Sequence, residues 1–342
     1  MDIEGSCVIA DVDIIIQTYV LTVGLKSMIE ITEGQQASQR PSDTGQYRYA
    51  PMRGRPILRW PNNARLAFWI APNIEHYEWM PPVNPNRHPW PRTMPDVLNY
   101  SFRDFGNRIG FKRIADEMEK RDIRGSVSLS IAVCEHFPEI VQRCVDMGWE
   151  LFSHGVYNTR YFYGMTLEEQ RQVIIDSRET LARFGQTLDG WLSPAITPSL
   201  DTQEILAQEG VRYTLDYFHD EQPMPLALKT GKLISVPYSI EMNDTPLAHW
   251  HNMSVDEIFA TLCAQFDRLY ADGAHNGRVM CFALHPFVLG QPHRIDAFAA
   301  FLDYVKSHEH VWYPTAREMA DWYYENHYDT TQQWLASLQG DH

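Results

Sequence analysis

Residues 65–76 read RLAFWIAPNIEH, an apolar run that ends in polar side chains. A short apolar run is typical of a strand that is buried on both faces of a parallel sheet. Successive side chains of a strand point to opposite faces, so Asn73 and Glu75 are predicted to share one face. The run therefore predicts a buried strand whose carboxyl end presents an amide and a carboxylate together.

From residue 64 onward, short apolar runs alternate with segments of helical period, which is the pattern of βα units around a parallel sheet. The predicted strands are Arg65 to Ala71, Gly125 to Ile131, Trp149 to Ser153, Asp189 to Ser193, Tyr213 to Asp216, Leu233 to Pro237, Val279 to Leu284 and His310 to Tyr313. The clearest predicted helices are Thr166 to Phe184, Ser254 to Asp272, Arg294 to Ser307 and Thr315 to Asn326. Three of them begin with a Ser/Thr-x-x-Glu capping box, at Thr166, Ser254 and Thr315.

Composition and charge exclude several classes of protein. The 342 residues carry 29 Lys and Arg against 44 Asp and Glu, and the net charge of -15 repels nucleic acid. The five cysteines form no CxxC pair, so neither a disulfide framework nor a thiolate zinc site is indicated. The apolar stretch from Cys7 to Leu25 is interrupted by Asp11 and Asp13 and follows no basic residue. We therefore predict a cytoplasmic protein without a membrane partner.

Polar residues gather where five of the predicted strands end, which is where ligands bind in α/β barrels. The clusters are Asn73 to His76, Ser153 to Arg160, Trp191 to Pro194, Asp216 to Glu221 and Leu284 to Pro286. A single histidine at a strand end is more often a structural residue than a catalytic one. Five polar clusters in succession favour a functional site.

The order and type of these clusters resemble the catalytic motifs of the polysaccharide deacetylase (NodB-homology) superfamily, over about residues 50 to 325. The resemblance implies an α/β fold, a distorted (β/α) barrel of about seven parallel strands. It also implies hydrolysis of an amide, with a carboxylate as base and the late histidine as acid. On this basis we predict an N-terminal arm and tether over residues 1–47, the barrel over 48–328 and a tail over 329–342.

Carried over residue by residue, the aspartate pair of the superfamily falls on Asn73 and Glu75, and its first histidine falls on His154. The partner of that histidine falls on Asn158, and the late histidine falls on His285. One carboxylate therefore remains of the acidic pair, and an amide replaces the second metal histidine. The turn Ser153-His154-Gly155 resembles that of the intracellular branch of the superfamily, which includes allantoinases and cyclic imide hydrolases, several of which are thought to work without a tightly held metal.

The resemblance assigns catalysis to three residues and leaves their exact chemistry open. Glu75 is expected to act as base or metal ligand, His154 as metal ligand or oxyanion donor, and His285 as acid. Asn158 is expected to donate its amide to the substrate carbonyl. If a divalent ion such as zinc binds, Glu75 and His154 would hold it together with Asn158 or His76.

A second set of residues is predicted to contact the substrate, each beside a structural alternative. Trp191 would stack on a planar ring or fill the core. Glu241 would line the pocket or satisfy backbone amides, and Asp220 would orient a histidine or lie at the surface. The predicted substrate-binding residues are Asn73, Asn158, Trp191, Pro194, Asp220 and Glu241.

Three functions are compatible with these residues. The first is hydrolysis of a small cyclic amide, ureide or imide by a homo-oligomer, a dimer or tetramer by resemblance. The second is metal-dependent removal of acetyl groups from an amino sugar or polysaccharide. The third is a barrel without catalysis that binds a carbohydrate or a partner protein.

Overall fold

The computed structural model describes residues 44–82 and 94–338, and its centre is a curled, mostly parallel sheet. All eight predicted strands are confirmed, and one short strand, β6, was not expected. The strands are β1 Leu66–Ile74, β2 Ser126–Leu129, β3 Glu150–Ser153, β4 Gly190–Trp191, β5 Tyr213–Thr214, β6 Met224–Pro225, β7 Ile234–Ser235, β8 Arg278–Leu284 and β9 Val311–Trp312. The predicted N-terminal arm up to residue 43 lies outside the described residues.

The strand order is β6-β7-β5-β4-β3-β2-β1-β8, with β9 paired beside β1. β6 and β7 pair antiparallel, and every other pair that is described in the sheet is parallel. An isolated parallel bridge between Asn243 and Ala283 joins the chain that follows β7 to β8. The sheet thereby curls almost into a ring, and the predicted distorted barrel is confirmed.

Helices follow most of the strands and cover the outside of the sheet. They are α1 Val97–Phe105, α2 Phe111–Glu119, α3 Val133–His136, α4 Pro138–Asp146, α5 Leu167–Ala182, α6 Thr202–Gln208, α7 Val255–Gly273, α8 Pro286–Leu289, α9 Ile295–Lys306, α10 Ala316–Asn326 and α11 Tyr328–Ser337. A π-helical turn, Gly106–Gly110, joins α1 to α2. The three predicted capping boxes form at Thr166, Ser254 and Thr315.

Helix α11 occupies most of the segment that was predicted to be a tail. Its Thr331 and Leu335 are buried, and Tyr328 packs against the ring of Tyr324 in α10. The apolar residues of this segment are too few and too widely spaced to predict a helix from the sequence.

Among the described residues, no helix is both long enough and apolar enough to cross a membrane.

Strand β1 separates two hydrophobic clusters because its side chains alternate between them. Leu66, Phe68 and Ile70 pack into the larger cluster, which contains the outer helices. Ala67 and Trp69 pack into the smaller cluster inside the curled sheet. Asn73 and Glu75 continue this inner series in sequence, so the strand points both polar groups toward the inside of the barrel.

The register of the parallel strands brings their carboxyl ends to one level. Ile74 pairs with Leu129, Leu129 pairs with Ser153, and Ser153 pairs with Trp191. On the other side of β1, Pro72 pairs with Leu284. Glu75, His154 and His285 each come directly after one of these paired residues, and they therefore meet at one rim of the barrel.

Candidate active site

Glu75, His154 and His285 converge at the carboxyl end of the sheet. Glu75 Oε1 lies 3.6 Å from His285 Nε2 and 3.8 Å from His154 Nε2. The three residues are 5%, 3% and 8% exposed, respectively. Three ionisable side chains that are remote in the sequence therefore share one nearly dry space.

The Glu75 carboxylate is held at both oxygens. Asn158 Nδ2 donates to Oε1, and Arg103 Nε lies 3.4 Å from Oε2. Burial alone would raise the pKa of Glu75, but the hydrogen bond and charge of His285, with the charges of Arg103 and His154, lower it from 4.5 to about 2. The carboxylate is therefore ionised at neutral pH.

His285 is paired with a second carboxylate on its other side. Its Nδ1 lies 2.7 Å from Asp244 Oδ1, and its backbone N–H donates to Asp244 Oδ2 at 2.8 Å. Burial would lower the pKa of His285, but Asp244 and Glu75 raise it from 6.5 to about 9. The imidazole is therefore protonated on both nitrogens, with Nε2–H directed at Glu75.

His154, unlike His285, carries a proton on one ring nitrogen only. Its Nδ1 lies 2.9 Å from the Leu192 carbonyl oxygen, which is an acceptor, so Nδ1 carries the proton. Burial lowers the pKa of His154 below its ordinary value despite the attraction of Glu75. The ring is therefore neutral, and Nε2 presents a lone pair to the site. An oxyanion donor needs a proton there, so this geometry does not favour that role.

The turn after β3 fixes the amide of Asn158. Gly155 has a φ of +69°, and the ring of Pro194 occupies the space that a Cβ on Gly155 would need. Pro194 thus supports the turn. The next residue, Ala195, donates its backbone N–H to Asn158 Oδ1 at 3.1 Å. Asn158 consequently points its oxygen away from Glu75 and its nitrogen toward it.

A buried carboxylate holds the loop that carries Ala195. Asp216 accepts the backbone N–H of Ser193 at 2.7 Å and the Ser193 hydroxyl at 2.8 Å. Ala195 and Ile196 have φ values of +50° and +55°, which are strained for residues with a Cβ. The bonds to Asp216 stabilise this strained turn, and the turn in turn orients Asn158.

The donor set does not fit the metal that the family resemblance implies. Within residues 44–82 and 94–338, no group of three or more His, Cys, Asp and Glu is placed to hold a metal ion. Asn158 faces Glu75 with its nitrogen, and His285 faces it with a proton, so neither offers a lone pair. His76 packs against the rings of His136 and Tyr157 instead. Glu75 and His154 remain, which is one protein ligand fewer than catalytic zinc sites use. The structure thus contradicts Asn158 as a metal ligand.

Two of the predicted substrate-binding residues are structural. Trp191 is fully buried, and its Nε1 donates to Ser193 Oγ at 3.2 Å. Asn73 uses its amide on the Leu284 carbonyl oxygen and on the hydroxyl of Tyr238, which ties β1 to β8. The Trp191 indole therefore packs in the core, and the Asn73 amide bonds to neighbouring parts of the barrel, so neither faces a substrate.

Asp220 lies at the opposite end of the barrel. It pairs with Arg55 at 2.8 Å, and the neighbouring Glu221 accepts the backbone N–H of Val279 at the start of β8. His285 follows the other end of that strand, so Asp220 does not reach the site. Glu241 is exposed on the loop that leads to Asp244.

Two residues of the site did not emerge from the sequence in these roles. Asp244 is the partner of His285. Arg103 belongs to a segment with no assigned role, and it contacts Glu75 from helix α1. No spacing in the sequence links either residue to its partner, because the contacts depend on the three-dimensional fold.

No protein-family model matches the chain, but individual proteins do. A Schizosaccharomyces pombe protein classed as a polysaccharide deacetylase is 25% identical over 300 residues, covering 76% of this chain and 91% of that protein. The peptidoglycan deacetylase of Helicobacter pylori is 23% identical over 251 residues, covering 64% of this chain and 84% of that protein.

Two solved structures share the fold. A polysaccharide deacetylase-like protein of Pseudomonas aeruginosa superposes with a TM-score of 0.73 at 23% identity, covering 84% of this chain and 99% of that chain. The Puue allantoinase superposes with a TM-score of 0.72, also at 23% identity and with the same coverage of both chains. The chain is therefore similar in sequence to polysaccharide deacetylases and shares the fold of these two structures. Its own histidine, carboxylate and amide form a site with too few metal ligands.

Metal analysis of protein purified without added metal is expected to find zinc well below one atom per chain. Asn158→His adds an imidazole beside Glu75 and His154, so this variant is expected to bind zinc stoichiometrically, because it has three ligands. Elemental analysis and calorimetric titration with zinc measure both. One tightly held zinc atom per chain in the unaltered protein would contradict the donor-set argument.

Proposed function

We propose that this hydrolase of the polysaccharide deacetylase superfamily opens a small cyclic amide, ureide or imide by adding water to a carbon–nitrogen bond. The observation that carries the proposal is the juxtaposition of an ionised carboxylate and a protonated imidazole. Glu75 Oε1 and His285 Nε2 lie 3.6 Å apart, and the two groups have pKa values of about 2 and about 9. Two groups with separated pKa values are the requirement for base and acid roles in one site.

Water attack needs acceptors for the two hydrogens of the nucleophile. Glu75 Oε1 and His154 Nε2 are both acceptors and lie 3.8 Å apart, so one water molecule is able to donate to both. As the water oxygen bonds to the substrate carbonyl carbon, one of its protons passes to Glu75. His285 Nε2 then gives its proton to the ring nitrogen as the carbon–nitrogen bond breaks.

Glu75 and His285 are able to return to their initial protonation states after each turnover. In the resting site the cationic His285 lowers the pKa of Glu75, and the loss of that charge raises it again. Glu75 therefore holds the proton of water more firmly once His285 has protonated the leaving nitrogen. Transfer of this proton from Glu75 to the neighbouring Nε2 regenerates both groups, and the net reaction consumes one water.

The depth of the site supports a small substrate. The three acid–base residues are at most 8% exposed, and Asn158 is 6% exposed. A small planar ring with an internal amide suits residues that are so little exposed better than a polymer chain does. The likeness in fold to the Puue allantoinase is compatible with this class of substrate.

Deacetylation of an amino sugar is the second candidate, favoured by the names of the two sequence relatives. Cleavage of an acetamide needs the same base and acid. The resemblance to the superfamily implies that this reaction also needs a metal. The shortage of metal ligands at Glu75 and His154 therefore counts against deacetylation.

A barrel that binds a ligand without catalysis is the weakest candidate. Simple ligand binding does not require a buried pair of opposite charges such as Glu75 and His285.

A hydrolysis screen tests the proposal directly. The chain is expected to open five- or six-membered ureides or imides and to release no acetate from N-acetylglucosamine oligomers, with product detected by mass spectrometry. Glu75→Gln is expected to lower kcat by about 100- to 10,000-fold, because the amide cannot accept the proton of water. Glu325→Gln, an exposed change near the end of helix α10, serves as the control. Acetate release with no ring opening would favour the deacetylase instead.

The alkaline limb of the pH profile tests the role of His285. The reaction needs His285 protonated, so kcat/KM is expected to stay constant at neutral pH and to fall as pH rises through about 9. Asp244→Asn removes a charge that raises the pKa of His285. The limb should therefore move to lower pH by about one unit or more. An unchanged limb in this variant would argue against His285 as the acid.

A further inference from the structure

Residues 103–110, RDFGNRIG, run from the end of helix α1 through the π-helical turn that precedes α2. This segment packs against the chain that directly follows His285. A Cβ on Gly106 would lie 2.7 Å from the backbone nitrogen of Phe287, and one on Gly110 would overlap the carbonyl oxygen of Pro286. The two glycines therefore allow an approach that a larger residue would prevent.

The same segment also holds Glu75. Asn107, which is buried, donates its side-chain amide to the Glu75 carbonyl oxygen at 3.0 Å. Arg103 Nε lies 3.4 Å from the carboxylate oxygen Oε2. One short stretch of helix thus contacts both the base and the loop of the acid.

The guanidinium of Arg103 is itself firmly placed. Its carbon lies 3.9 Å from the ring centre of Tyr77 and 4.4 Å from that of Phe287, so the two rings enclose it. Its terminal nitrogens donate to the Tyr77 hydroxyl at 2.9 Å and to Asn99 Oδ1 at 3.1 Å. A planar cation with several fixed donors suits a site that must orient a carboxylate.

Charge balance indicates why Glu75 needs this second cation. His285 already shares its charge with Asp244, at 2.7 Å. Among residues 44–82 and 94–338, Arg103 is the only arginine or lysine within 4.0 Å of a Glu75 oxygen. Asn158 holds Oε1, and without Arg103 the other oxygen would lose its cationic partner, so that one contact fewer would resist rotation of the carboxylate.

We propose that Arg103 is a positioning residue that, from helix α1, fixes the Glu75 carboxylate so that Oε1 faces His154 and His285. This inference rests on the proposed function, in which Oε1 receives the proton of water. Trp191, at the end of β4, is buried in the core and brings no charge to the site. Arg103 supplies a cation to the site from a different element.

The test compares Arg103→Gln and Arg103→Lys with Arg108→Gln in the full chain. Arg108 lies on the same segment, but its side chain is 67% exposed and pairs with Asp104. We expect Arg103→Gln to lower kcat by about 100-fold with little change in KM, because a misplaced base slows chemistry more than binding. Arg103→Lys should recover part of the loss, since it keeps the charge without the planar fork.

Crystal structures of Arg103→Gln and Arg108→Gln give a readout that needs no substrate. The Glu75 carboxylate is expected to rotate away from His154 and His285 in the first variant and to stay in place in the second. Equal kcat values for the two variants, a loss confined to KM, or an unmoved Glu75 would each overturn the proposal. If the unaltered protein opens no ring in the screen, the proposed function fails, and the crystal structures alone decide the role of Arg103.

Discussion

Two carboxylates alternate with one imidazolium at the carboxyl rim of the barrel, in the order Glu75, His285, Asp244. Removing charges from water is costly, and a buried group is ionised only where partners compensate for the lost solvation. Here each anion stabilises the cation, and the cation keeps Glu75 ionised. The proposed acid–base chemistry depends on this arrangement, and the proton that it places on His285 removes one potential metal ligand.

The sheet makes the arrangement geometrically feasible. Strand β1 ends just before Glu75, strand β3 ends just before His154, and strand β8 ends just before His285. Parallel pairing in register places these three ends at one level, while the bridge between Asn243 and Ala283 brings Asp244 beside β8. The site is thus a consequence of strand register rather than of any local motif.

Long strands and capped helices were predictable because their signals are local. Strand β1 is a continuous apolar run, and each capping box lies within four residues. Convergence of Glu75, His154 and His285 was also predictable, since carboxyl ends of parallel strands share one edge. The two-residue strand β6 and the pairing of Asp244 with His285 were not, because each depends on contacts across the fold. The orientation of the Asn158 amide is set by Ala195 in the same way.

The protonation state of His285 is the most direct test of the central claim. Nitrogen-15 NMR of histidine-labelled protein at pH 7 distinguishes an imidazolium, with protons on both nitrogens, from a neutral ring. We expect His285 to be doubly protonated and His154 to carry a proton on Nδ1 alone. A neutral His285 at pH 7 would contradict the account, because the site would then lack both its acid and the charge that keeps Glu75 ionised.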